Sequence, residues 1–197
     1  MKHSLAFKWM ALSLAGFTAG LLFAPEARGA SAAPTDAAFP SEIASQIHAT
    51  NQEEARAGKL AMERGGTPEI RRYGDLLMRD HKRADQSIQE LARKEHLNLS
   101  MLTVDPETKT HHALLMQQLE QTTGIDFDRA FLTGMREGHD QAIRELTQAH
   151  DQLPMGSPVR GFIAKLIPIL KQHDRLAANL AGAAASVAPP AVKTSQR

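Results

Sequence analysis

Four residues in this chain stand where a helix would otherwise carry an apolar side chain: Glu54, His81, His139 and His173. One carboxylate and three imidazoles make a nitrogen-rich donor set. It suits a single Zn, Cu(II), Ni or Fe(II) ion better than Mg or Ca, which prefer oxygen ligands. The same four also suit a metal-free polar cluster, because an isolated buried carboxylate is costly and imidazoles can donate to it. Either reading requires the surrounding elements to bring the four together.

Those elements follow from periodicity and punctuation. A first helix is expected from Ser41 to about Arg64, closed by Gly65-Gly66. Thr67 as N-cap, Pro68 at the first position and Glu69 in the first turn open a second, to about His96. "LNLSMLTVD" reads as a loop, and a shorter helix runs from Pro106 to about Gln121, broken by Gly124. A further helix spans about Asp126 to Asp151. After the turn "QLPMGS", Ser157-Pro158 opens the last one, to about Ala181. No stretch carries a strand pattern.

The core-facing stripes of the four long helices place the polar residues. They are Ile43, Ile47, Thr50, Glu54, Ala57 and Ala61; Ile70, Leu77, His81, Ala84, Ile88 and Leu91; Leu132, Met135, His139, Ile143 and Leu146; and Val159, Phe162, Leu166, Ile169, His173, Leu176 and Leu180. Apart from a turn skipped at Gly74, the steps are three and four, the spacing of one helix face. At about 1.5 Å of rise per residue, the four polar residues lie within a turn or so of one another in antiparallel hairpins. They are expected to converge near mid-bundle.

Composition narrows the context. With no cysteine among 197 residues, the chain has no disulfide, thiolate metal site, cysteine nucleophile or lipoprotein anchor. Lys2 and Lys8, the apolar "WMALSLAGFTAGLLF" and Ala30-Ser31-Ala32 fit a signal peptide over residues 1–32, and hence export to the periplasm. Its removal takes three basic residues (Lys2, Lys8, Arg28) and one acidic (Glu26), shifting the net charge from +1 to −1. That balance gives no reason to expect a nucleic-acid partner, and no second apolar stretch follows to span a membrane. Residues 33–40 read as a linker, 41–182 as the bundle and 183–197 as a disordered tail.

At this point the chain resembles the bacterial "domain of unknown function 4142" family, exported proteins grouped with the ferritin-like superfamily. The matching stretches are "EARAGKLA" (54–61), "YGDLLMRDHKRA" (73–84), "FDRAFLTGMREGH" (127–139) and "LIPILKQH" (166–173), with Asp80-His81 the most recognisable mark. The resemblance implies an envelope location and a ferritin-like bundle, and it implies no reaction. Two short-loop hairpins joined by a long crossover also fit that connectivity. A plain up-and-down bundle with a decorated middle loop is the alternative. Carboxylate-bridged di-iron chemistry is not expected, because Met78 and Leu170 stand three residues before His81 and His173, where Glu-x-x-His motifs would need Glu.

Weaker candidates surround the four. Met78 and Met135 could offer thioethers to copper, although buried methionine usually just packs. Asp80 lies about 100° off its stripe and is expected to meet Arg, Lys or water. Asp128 sits at a helix start, where the helix dipole alone explains a carboxylate. His111 and His112, on the short helix, read as solvated surface. Pro168 is expected to kink the last helix before His173. The expectation is therefore an all-α, ferritin-like antiparallel four-helix bundle whose long crossover carries a short extra helix. It would bind a transition metal (Zn, Cu or Fe) for metal handling or envelope stress tolerance, or else serve as a metal-free structural or interaction module. An enzyme would need an open coordination position and a substrate pocket, and the sequence displays neither.

Overall fold

In a computed structural model, the described residues are 38–100 and 106–187, all within the unit that begins at Pro34. The expected signal peptide over 1–32, most of the expected linker, residues 101–105 before the short helix and the last ten residues lie outside them. Among the described residues there are five α-helices and no strand: α1 (Ala38–Arg64), α2 (Pro68–Glu95), α3 (Pro106–Gln121), α4 (Gly124–Gln152) and α5 (Pro158–Val187). None is long and apolar enough to cross a membrane.

The helix boundaries have local causes. Thr67 caps α2 by accepting from the Ile70 N–H at 3.2 Å, and His96 ends it in the left-handed conformation at φ 55°. Gly124 both ends the preceding turn and opens α4, at φ +57°, a conformation glycine adopts without a Cβ penalty. α1 already includes residues 38–40, ahead of the expected start at Ser41, and Ser41 lies inside it. It is buried and its Oγ accepts from the Asn98 N–H, while Ser45 Oγ donates to the Asn98 carbonyl. These two serines tie the start of α1 to the loop after α2.

Only three residues separate α1 from α2, so the two pack as an antiparallel hairpin. They approach closely at two glycines. A Cβ on Gly74 would lie 2.6 Å from the Gly58 carbonyl oxygen, and one on Gly58 would lie 2.7 Å from the Met78 nitrogen. The turn missing from the apolar stripe of α2 is thus the turn where two backbones touch.

The apolar core divides into two clusters, and the polar layer separates them. One contains Ala57 and Ala61 of α1, Tyr73 and Leu77 of α2, Phe131 and Met135 of α4 and Ala177 of α5. The other contains Ile43 and Ile47 of α1, Ile88 of α2, Leu146 of α4 and Leu166 and Leu170 of α5. Along α2 and α4 the chain passes from the first cluster to the second, and along α1 and α5 from the second to the first. α2 and α4 therefore run in the same direction. A plain up-and-down order would make them opposite, so the crossover must return the chain to the end where α2 began. α3 belongs to that crossover and packs on the first cluster through Leu115, Met116 and Leu119.

Two expected core positions are corrected. Thr50 is only half-buried, and its neighbour Asn51 is buried instead. In α5 the buried face is Ile163, Leu166, Leu170, His173 and Ala177, whereas Ile169 is 40% exposed. α5 is apolar on several sides, so periodicity alone could not choose its inner face. The helix is continuous through Pro168, which is exposed.

Candidate metal centre

Each long helix delivers one of the four residues to the layer between the two apolar clusters. His81, His139 and His173 are at most 2% exposed, and Glu54 is 5% exposed. One nitrogen from each histidine lies within 4.8 Å of the other two. The ring centroids are 5.2 to 5.6 Å apart, and the rings are steeply inclined to one another rather than stacked. Glu54 Oε2 is 2.9 Å from His81 Nε2 and 3.8 Å from His139 Nε2.

The outer nitrogens decide the protonation pattern. His139 Nδ1 donates to the Met135 carbonyl at 2.6 Å. His173 Nε2 donates to Asp80 Oδ2 at 3.1 Å, and His81 Nδ1 donates to Asn51 Oδ1 at 2.9 Å. A carbonyl and a carboxylate only accept, so each ring carries its proton on the outer nitrogen. In the neutral rings His81 Nε2, His139 Nε2 and His173 Nδ1 are left with lone pairs. His139 Nε2 and His173 Nδ1 approach to 3.3 Å.

Burial pushes the His173 imidazole down to about 4, helped by the charges of His81 and His139 and opposed by Asp80. His173 is therefore a neutral donor at ordinary pH. Burial alone would raise the Glu54 carboxyl. The positive charge available on His81 and His139, with the His81 contact, overcomes this and holds it well below the usual carboxylate range. An ionised carboxylate facing imidazole lone pairs needs a cation between them. A proton on one ring or a metal ion can fill that role.

The donor set fits an ion in two respects. Ligands 2.0–2.1 Å from a tetrahedral ion lie about 3.3–3.4 Å apart, the separation of the His139 and His173 nitrogens. His81 Nε2 makes no hydrogen bond among the described residues, although it is fully buried. Its 2.9 Å approach to Glu54 Oε2 is an ion-pair contact that requires a protonated ring. A buried nitrogen with no hydrogen bond, facing a carboxylate and two like donors, is an arrangement a metal would satisfy.

The remaining candidates separate. Asp80 meets Arg83 at 3.4 Å, as expected, but also reaches His173 on α5, so it supports the cluster from outside. Met135 contributes its carbonyl to His139. Met78 is half-buried at the crossing of α1 and α2. Asp128 is buried, yet it is spent elsewhere: its Oδ1 accepts from the Gly66 N–H at 2.8 Å and pins the α1–α2 turn to α4. The His111 side chain lies outside the described residues. His112 is half-buried rather than solvated.

Two residues of the site were not anticipated. Asn51 follows Ile47 by four and precedes Glu54 by three, so its phase points inward, but the methyl of Thr50 makes that residue the more apolar choice for the stripe. Tyr73 lies beside the skipped turn of α2. Its hydroxyl donates to the His173 carbonyl at 3.1 Å and holds the α5 backbone against the layer. Burial, then the charges of Glu54 and Asp174, push that phenol upward, so it remains a donor.

Fold and site together define an all-helical bundle with a buried three-histidine, one-glutamate cluster at mid-height. The family model described as "Domain of unknown function (DUF4142)" matches residues 24–180, and the chain belongs to that family. No curated protein and no solved structure matches it.

Proposed function

We propose that this protein is a periplasmic, ferritin-like four-helix bundle that binds one transition-metal ion through His81, His139, His173 and Glu54. The ion would serve metal handling or envelope stress tolerance. The observation that carries the reading is the set of anchored tautomers. Asn51, the Met135 carbonyl and Asp80 each take the proton of one imidazole, and three lone pairs remain for the centre. Metal-bound histidine shows this support, in which the outer N–H is held by an acceptor and the ring is oriented. A centre rich in imidazole nitrogen favours Zn, Cu(II), Ni or Fe(II). The parallel course of α2 and α4, with α3 in the crossover between them, supports ferritin-like connectivity. The basic start, apolar run and small-residue cleavage pattern of residues 1–32 support export.

A second reading rests on the 2.9 Å contact between Glu54 and His81. A protonated His81 would neutralise Glu54 without a metal, and the layer would then fix helix register in an envelope module. The two readings part on one substitution. In the metal-free protein, wild type shows no stabilisation by added Zn or Co, and His81→Leu costs about 3–5 kcal/mol because buried Glu54 loses the partner of its charge. For the metal-binding protein, it abolishes the stabilisation by added Zn or Co. Thermal melts of wild type and variant, with and without metal, separate the two.

A further inference from the structure

The histidines are sealed by apolar clusters at both ends, so an ion needs a route to them. We propose that the recess between α1, α3 and α4 is the loading site of the centre, with His112 as the outer carrier and Glu54 as the ligand that passes the ion inward. The proposal rests on the metal-binding reading above. The recess has a volume of about 20 Å³, and its lining includes Glu53, Glu54, His112, Met116, Met135 and Gly138. A space of that size holds one water-sized species.

Glu54 belongs to both compartments. Its Oε2 faces His81 and His139, whereas its Oε1 lies 3.7 Å from where a Cβ on Gly138 would stand. Glycine at that position leaves the carboxylate uncovered on the recess side. His112 and Met116 are one turn apart on α3 and so share a face. His112 and Glu54 both line the same small space, one from α3 and the other from α1. α3 is held there by Leu115, whose Cδ1 lies 2.5 Å from where a Cβ on Gly134 would be. Larger side chains on α4 would therefore lift α3 away or close the recess. Imidazole, thioether and carboxylate together suit a late first-row transition ion and discriminate against Mg and Ca.

A second approach exists at Asp80, whose side chain is 22% exposed and touches His173. Stopped-flow absorption of Co(II) entering chelator-stripped full-length protein distinguishes the routes, using His112→Leu and Gly138→Val. Loading and chelator-driven release are both expected to slow about tenfold or more in each variant, while the end-point spectrum remains that of wild type. Far-ultraviolet dichroism checks folding, and His112→Leu alone decides if Gly138→Val does not fold. Wild-type rates in the folded variants overturn the loading route and leave the metal centre standing. A changed end-point spectrum in His112→Leu also overturns it, because His112 would then be a resident ligand. A wild-type protein that takes up no Co(II) overturns the loading route and the metal centre together.

Discussion

Asp80→Ala removes the acceptor that holds the His173 N–H, and it touches no other member of the cluster. Asp80 Oδ2 stands 3.1 Å from His173 Nε2, on the side of the ring away from His139. Without it the ring can rotate and its Nδ1 loses basicity. Losing an outer partner of this kind costs about 10–100-fold in metal affinity. Asp80 is partly exposed, so water can replace some of the lost bond, and the expected loss is near the lower end, about tenfold or 1.4 kcal/mol. Asn51 is buried with His81, where water does not reach, so Asn51→Ala should cost more than Asp80→Ala. Competition titration of Zn against a chromophoric chelator measures both. Arg83→Ala serves as the control, since Arg83 meets Asp80 only on its exposed side at 3.4 Å. An Asp80→Ala affinity within twofold of wild type would refute the argument that outer anchors set the donor nitrogens.

Further perturbations probe the frame and its charges. Gly74→Ala places a Cβ 2.6 Å from the Gly58 carbonyl oxygen and should destabilise by about 1–3 kcal/mol, read as a lower urea midpoint. Tyr73→Phe removes the hydroxyl bond to the His173 carbonyl and should cost about 1 kcal/mol, with weaker metal retention from the loosened α5 backbone. For the metal-free protein, His173 titrates at about 4 when folded against 6.5 when unfolded. The unfolded chain binds the extra proton between those values. Stability is therefore full above about pH 6.5 and declines toward pH 4, by on the order of 3 kcal/mol from this residue. His173→Leu should flatten that part of the pH–stability curve, and an unchanged slope would contradict the assignment.

Legibility in the sequence was uneven, for physical reasons. Glu54, His81, His139 and His173 could be found because each interrupts a three-and-four stripe. Their heights then follow from rise per residue and short hairpin loops. Their anchors were harder to see. Asp80 sits off the α2 stripe, and its reach to His173 depends on where α5 docks, which no local pattern encodes. Tyr73 escaped notice because α2 skips an apolar turn at Gly74, whose cause is the backbone of α1. The inner face of α5 was misjudged at Ile169 because apolar residues occur on both of its faces; His173 is in phase with Leu166, Leu170 and Ala177. The directions of α2 and α4 became clear only when the two core clusters showed which end of each helix comes first.

The central claim is that the anchored histidines and Glu54 hold a metal ion. Elemental analysis of protein isolated without an affinity tag, followed by a thermal melt with added Zn, Cu and Fe, tests it most directly. About one transition-metal ion per chain is predicted, or in stripped protein a rise in melting temperature on adding the right ion. The rise should vanish in His81→Leu. Less than about 0.1 ion per chain, with no shift from any of the three metals, would contradict the account.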